Sequence, residues 1–388
     1  MNERWRILAA LTAARVGMGF QFQAVASAAP FLAPDLGLDK TQLGWLIGLY
    51  LLPGIAIALP GGLLGARFGD KRVTLIGLAL MAAGGLWLAH SRSFAEAGAA
   101  RMLAGAGAVA LNVLLTKMVA DWFEGRDRLF AMSILVNAWP IGIGLALLLL
   151  GPMAQAQGWP AAMLTTVALA VAGFFVVAAA YRAPPASPQA ATGLGLGGLN
   201  PREWLLLLVA STPWMSFNAA YQIVVSFLPA FFLERGLSVA ASGATAALNT
   251  VLIIVSVQAG GVLLKRMQRP DVLCHAALVG WSVTVAFLID SADPLPWIVL
   301  GGLVAGLPAG LFVSLAAEVL RAEVRAAGMG VFYTVYYLGA AVFPALAGGL
   351  YDATGRASST LWLAVACALA CIPALLVLRA LTLHEGRE

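Results

Sequence analysis

Three basic residues, Arg15, Arg101 and Lys117, stand inside long apolar stretches, and no acidic residue lies at mid-depth in any of them. An ionisable side chain in hydrocarbon is costly, so it marks a substrate path, a proton relay or a tie between helices. Helical spacing places Met18, Gly19, Phe22 and Ala26 on the face of Arg15, and Gly105, Ala108 and Asn112 on the face of Arg101. An arginine without a counter-charge in a low-dielectric cavity attracts an anion and repels a cation. The plainer reading of either arginine is a hydrogen bond to carbonyls of a neighbouring helix. Lys117 stands one turn before Asp121, where an i,i+4 ion pair accounts for it.

Polar and aromatic residues complete a candidate substrate site. Ser211, Trp214, Asn218 and Gln222 form one stripe, Asn249 and Ser256 share a face, and Tyr333, Tyr336 and Tyr337 cluster. Asn137 and Trp139 precede Pro140, which frees a carbonyl at mid-depth. The residues expected to line the site are Arg15, Phe22, Arg101, Asn112, Asn137, Trp139, Trp214, Asn218, Gln222, Asn249, Tyr333 and Tyr337. Such groups also serve as interhelical ties worth about 0.6 kcal/mol each. His90, His275 and His384 fall near helix ends or in the tail, and the three cysteines sit in apolar runs. The pattern holds no metal cluster, catalytic acid–base pair or cofactor motif, so an enzyme is not expected.

The elements that must position these residues are membrane helices. Hydrophobic residues make up 61% of the 388 positions and charged residues 11%, against roughly 25% charged in soluble domains. Mean hydropathy is +0.90. A span needs about 20 apolar residues, and the apolar runs predict twelve: 7–31, 41–65, 72–90, 95–120, 128–152, 160–181, 203–232, 239–264, 271–290, 296–320, 326–350 and 358–381. Pro53, Pro140, Pro213, Pro308 and Pro344 are candidate kinks within them. The first segment lacks a cleavage site and reads as a span.

Charge tests the layout. With the N-terminus inside, inner loops and tails hold sixteen of the 23 basic residues, and the outer loops hold Lys40, Arg92, Arg235 and Arg356. The remaining three lie within helices. This bias places both termini in the cytoplasm and explains the pI near 9.3 without nucleic acid. The Pro-rich then Gly-rich stretch 182–202 reads as a tether between two six-helix bundles, 1–181 and 203–388. It ends on Asn200, Pro201 and Glu203, a helix-start signature.

Two local sequences carry a resemblance. Between the second and third spans stands Gly62-Leu-Leu-Gly-Ala-Arg67-Phe-Gly69-Asp70-Lys71-Arg72, and in the fourth stands Arg101-Met-Leu-Ala-Gly105-Ala-Gly107. Both are similar to signatures of the major facilitator superfamily, and Gly260-Gly261 with Lys265-Arg266 resembles a worn repeat of the first. Gly158-Trp159 before the sixth span also fits. The resemblance implies an all-α fold of two pseudo-symmetric six-helix bundles. It also implies a gating role for Gly62, Arg67, Gly69, Asp70, Lys71 and Arg72, with Lys117 and Asp121 beside them. Ala66 stands where the family places an aspartate that latches one state, and Asp70 is a partial substitute.

The expected function is a monomeric secondary transporter of a small anion, a carboxylate or inorganic ion, in a bacterial inner membrane. It would work by alternating access, with a proton or counter-anion as coupling ion. Within the superfamily the chain resembles the cyanate-permease-like and organic-anion carriers. The alternative is a proton-coupled exporter of hydrophobic compounds, of whose Gly-Pro-x-x-Gly-Gly signature only a displaced Gly142, Gly144, Gly151 and Pro152 are present.

Overall fold

The computed structural model describes residues 3–58, 65, 67–184, 196–321 and 323–383, all helices and their connections. Before the linker run α1 (Glu3–Asp35), α2 (Lys40–Gly48), α3 (Gly54–Ile57), α4 (Asp70–Ala89), α5 (Phe94–Trp122), α6 (Gly125–Gln157) and α7 (Trp159–Ala180). After it run α8 (Pro201–Glu234), α9 (Val239–Arg266), α10 (Pro270–Asp290), α11 (Leu295–Ala305), α12 (Ala309–Glu318), α13 (Arg325–Thr354) and α14 (Ser358–Leu383). Among the described residues ten helices, with α11 and α12 taken together, are long and apolar enough to cross a bilayer. Together with α1 and the interrupted second segment they account for the twelve expected. Phe175, Ile76, Val272 and Leu376 point outward and are more than half exposed, the reverse of a soluble surface and suited to lipid.

Two predicted spans are interrupted. The second breaks between Gly48 and Gly54, just before and at Pro53, and the tenth breaks at Gly306–Pro308. Proline removes a donor and clashes with the preceding turn, but Pro140, Pro213 and Pro344 lie inside unbroken helices. At the two breaks, distant side chains replace the lost helical bonds. Arg101 Nε donates to the Leu46 carbonyl at 2.9 Å, and the Gly306 N–H donates to Ser256 Oγ at 2.7 Å. At the linker's end the expected cap forms: Asn200 Oδ1 accepts from Glu203 N at 2.8 Å, and Asn200 N donates to Glu203 Oε2 at 3.0 Å.

Glycine sets helix spacing. A Cβ on Gly19 of α1 would strike the Trp139 carbonyl of α6, and one on Gly142 would strike the Val16 carbonyl. Backbones thus approach as closely as small residues permit, the usual basis of helix packing in lipid. α1 packs on α6 and α7, and α4 on α5 and α7; α8 packs on α13 and α14, and α10 on α11 and α14.

The helices after the linker repeat those before it. Gln23 and Gln222, Ser27 and Ser226, Pro30 and Pro229, and Gly37 and Gly236 are each 199 residues apart. The acids Asp35 and Glu234 share that spacing and the same task, holding the start of a later helix. Asp35 accepts from Trp159 Nε1 at 2.6 Å, and Glu234 accepts from Ala357 N at 2.9 Å.

Two seams join the repeats at the end of the bundle remote from the termini. α2 lies against α13, and α6 against α9. A Cβ on Gly44 or Gly48 would meet the Pro344 or Ala341 carbonyl, and one on Gly243 would meet the Leu147 carbonyl. Asp352 fastens the first seam, accepting from Lys40 N at 2.9 Å, Thr41 N at 2.8 Å and Thr41 Oγ1 at 2.6 Å.

Candidate functional site

A cavity of about 390 Å³ lies between the two repeats at mid-depth. α1 contributes Arg15 and Met18, α5 contributes Asn112, and α6 contributes Asn137 and Trp139. From the other repeat come Trp214 and Asn218 of α8 and Tyr333 and Tyr337 of α13. Eight of the twelve residues expected at the site therefore line one space.

Arg15 enters this cavity twelve residues along α1 with little to hold it. Its nearest polar partner is Thr116 Oγ1, 3.5 Å from an η nitrogen, and that hydroxyl already donates to the Asn112 carbonyl at 3.0 Å. Its Nε is buried without a partner. Trp214 Nε1 and the Tyr221 hydroxyl are in the same condition. An orphaned buried donor carries a desolvation cost of about 1–3 kcal/mol, so three of them around one cavity describe a site short of an acceptor. Other polar groups are paired across the repeats. Asn112 Nδ2 donates to the Tyr337 hydroxyl at 3.2 Å, and Gln258 Nε2 to Asn137 Oδ1 at 3.3 Å.

The other four expected residues face elsewhere. The depth and face of Arg101 predict a place at the site, but its guanidinium is turned into carbonyls. Its three nitrogens donate to Leu46 at 2.9 Å, Gln21 at 2.9 Å and Phe22 at 3.0 Å, and the group lies over the Tyr50 ring. It is 1% exposed. Phe22 is buried between Tyr50 and Trp139. Asn249 is buried and donates to the Ile298 carbonyl at 3.2 Å, tying α9 to α11. Gln222 is buried in the helix packing, outside the cavity lining.

That last displacement exposes what the sequence reading missed. The stripe on α8 runs Trp214, Phe217, Asn218 and Tyr221, so Tyr221 takes the place assigned to Gln222. The 3.6-residue turn permits either i+3 or i+4 from Asn218, and polarity favoured the glutamine. Tyr336 also joins the lining beside its two neighbours.

The residues expected to gate sit near the end that carries the termini. Lys117 bridges Asp70 of α4 and Asp121 of its own helix, the latter at 3.1 Å, so the i,i+4 pair is joined by a tie between helices. Gly69, with φ of +87°, starts α4 in a conformation that favours glycine. Lys71 Nζ donates to the Ala178 carbonyl at 2.7 Å, Arg67 lies over the Phe68 ring, and Arg72 is exposed. Gly62 and Ala66 lie outside the described residues.

A smaller cavity of about 200 Å³ occurs toward the sealed end, lined in part by Ser27, Ser226 and Ser242. No metal-ligating cluster of three or more His, Cys, Asp or Glu occurs among the described residues.

Comparison with known proteins agrees with this architecture. The sequence profile of the Major Facilitator Superfamily matches residues 11–344. The hexuronate transporter of Bacillus subtilis is 23% identical over 367 residues, 88% of this chain and 86% of its own. The 3-(3-hydroxy-phenyl)propionate transporter of Escherichia coli is 28% identical, covering 85% and 83%. The cis,cis-muconate transport protein of Acinetobacter baylyi is 24% identical, covering 81% and 80%. Among solved structures, a D-xylose–proton symporter superposes with a TM-score of 0.75 over 96% of this chain and 97% of its own, at 14% identity.

Proposed function

The chain belongs to the Major Facilitator Superfamily and is a multi-pass membrane transporter, not an enzyme, and from that premise we propose that it carries an organic anion across a bacterial inner membrane by alternating access. The observation that carries this reading is Arg15, among the described residues the one charged residue that lines the cavity, whose Nε has no partner. An arginine fork suits a carboxylate in both geometry and charge. The three relatives described above are named for carboxylate substrates, which supports the same class.

We place the first bundle at 1–181, the tether at 182–202 and the second bundle at 203–388, with both termini cytoplasmic. The seams of α2 with α13 and α6 with α9 then close the outer side, and the conformation faces inward. The repeats rock about the cavity, exposing it to each side in turn. Opening outward must part the contacts of Asp352 with Lys40 and Thr41. Asp352→Ala is expected to favour the outward-facing form. In right-side-out vesicles a Ser27→Cys reporter should then react several-fold faster with an impermeant maleimide. An unchanged labelling rate would mean that this fastening does not control the outer seam.

Moving one negative charge inward against 100 mV costs about 2.3 kcal/mol. Among the described residues no carboxylate lines the cavity to exchange a proton, so exchange for an internal anion, entry of protonated substrate or downhill flow provides the drive. The test is uptake into proteoliposomes of D-glucuronate, 3-(3-hydroxyphenyl)propionate and cis,cis-muconate, with tetraphenylphosphonium for comparison, at zero and at inside-negative potential. Uptake of an anion above that of protein-free liposomes, with uptake of the cation no faster than theirs, is the expected result. The aromatic wall also suits hydrophobic compounds, and transport of the cation alone would assign the protein to that class.

A further inference from the structure

The cavity treats its two sides differently. Arg15 and Trp214 occupy matching positions in the repeats, again 199 residues apart, on the contacting helices α1 and α8. Each lines the same space and carries a buried N–H without a partner, and Tyr221, two turns beyond Trp214, lines it too and carries an unpartnered hydroxyl. The α1 side is charged, whereas the α8 side donates hydrogen bonds without charge.

Between them the wall is aromatic. Trp214 and Phe217 stack with centroids 6.1 Å apart and planes 24° apart. Tyr336 lies 6.2 Å from Trp214 and 4.8 Å from Tyr337, so the rings continue to the tyrosines that share the cavity with Arg15. Flat faces of this kind reward a planar, polarisable body in offset stacking. A volume of about 390 Å³ admits one ring with a short side chain.

We propose that the substrate is an aromatic monocarboxylate bearing a hydroxyl or carbonyl oxygen at the end remote from its carboxylate. The carboxylate meets Arg15, the ring lies against Trp214 and Tyr336, and the distal oxygen receives Trp214 Nε1 and the Tyr221 hydroxyl. This assignment rests on the organic-anion reading. A dicarboxylate would bring a second charge to a side that has no cation to pair it. A hexuronate would set several hydroxyls against rings that offer few partners.

The test is uptake of labelled anions by the full-length protein in proteoliposomes. The probes are 3-phenylpropionate, 3-(3-hydroxyphenyl)propionate, 3-cyclohexylpropionate, cis,cis-muconate and D-glucuronate. The hydroxylated aryl anion is expected to exceed both the plain aryl and the cyclohexyl anion roughly tenfold to a hundredfold in initial rate at low concentration. Trp214→Phe and Tyr221→Phe keep the rings and remove the donors, and combining them should bring the hydroxylated-to-plain ratio near one. Equal uptake of hydroxylated and plain anions by the wild type, or a preference that survives in the double variant, overturns the distal contact. Preference for cis,cis-muconate, D-glucuronate or the cyclohexyl anion overturns the aromatic assignment and leaves the anion carrier standing. Uptake of no anion in the set overturns both.

Discussion

Replacing Arg15 with alanine is expected to abolish anion uptake while leaving the protein folded. The guanidinium has one marginal contact, to Thr116 at 3.5 Å, and a buried Nε with no partner, so little native bonding is lost with it. Removing a buried charge that lacks a counter-ion relieves a desolvation penalty, and the thermal midpoint should hold or rise. A charge-assisted contact to a bound carboxylate is worth about 2–5 kcal/mol when one partner is truncated, which is a fall of at least about 30-fold in initial rate. Arg15→Lys keeps the charge but loses the planar fork and is expected to fall between wild type and alanine. Uptake in proteoliposomes and melting of the purified protein supply the two readings. Wild-type flux in Arg15→Ala would remove the cation from the site and the anion from the function.

Sequence and structure part company where long-range partners decide. Twelve apolar runs and a one-sided distribution of arginine were enough to predict the membrane helices, because hydrophobicity and loop charge are local quantities. The breaks at Pro53 and Pro308 were not distinguishable from the unbroken prolines at 140, 213 and 344. What separates them is a partner 50 or more residues away, Ser256 for Gly306 and Arg101 for Leu46. Register along a helix set a second limit. Trp214 and Asn218 both line the cavity, but the continuation of their stripe through Tyr221 instead of Gln222 depends on how α8 is rotated against α1 and α13. The repeat at 199 residues was present in the sequence throughout, yet its identities are sparse. Only when Asp35 and Glu234 are seen holding the starts of two corresponding helices does the spacing acquire a physical meaning.

Arg101→Ala is expected to do the opposite of Arg15→Ala, removing the fold and not merely the flux. The two arginines look alike in sequence, each deep in an apolar helix with glycine or alanine beside it. In the structure Arg101 is 1% exposed and joins three helices, donating from α5 to Gln21 and Phe22 of α1 and Leu46 of α2. Leu46 lies in the last turn of α2, where carbonyls have no intrahelical donor, so Arg101 caps the end that the break creates. The same guanidinium rests 4.4 Å from the centre of the Tyr50 ring, and Tyr50 in turn donates to the Met18 carbonyl at 3.3 Å. Alanine would leave these acceptors and a cavity the size of the side chain in the middle of the first repeat. Loss of one member of such a buried network costs about 3–5 kcal/mol, a large share of the roughly 5–15 kcal/mol that separates folded from unfolded states in typical domains. Lysine would restore charge but reach one carbonyl at a time, and its rescue should be partial. The reading is the melting midpoint and monodispersity of detergent-solubilised protein, with Arg15→Ala in parallel. A stable, monodisperse Arg101→Ala that has lost transport would move this residue from the framework to the substrate path, and the α2 break would then need another support.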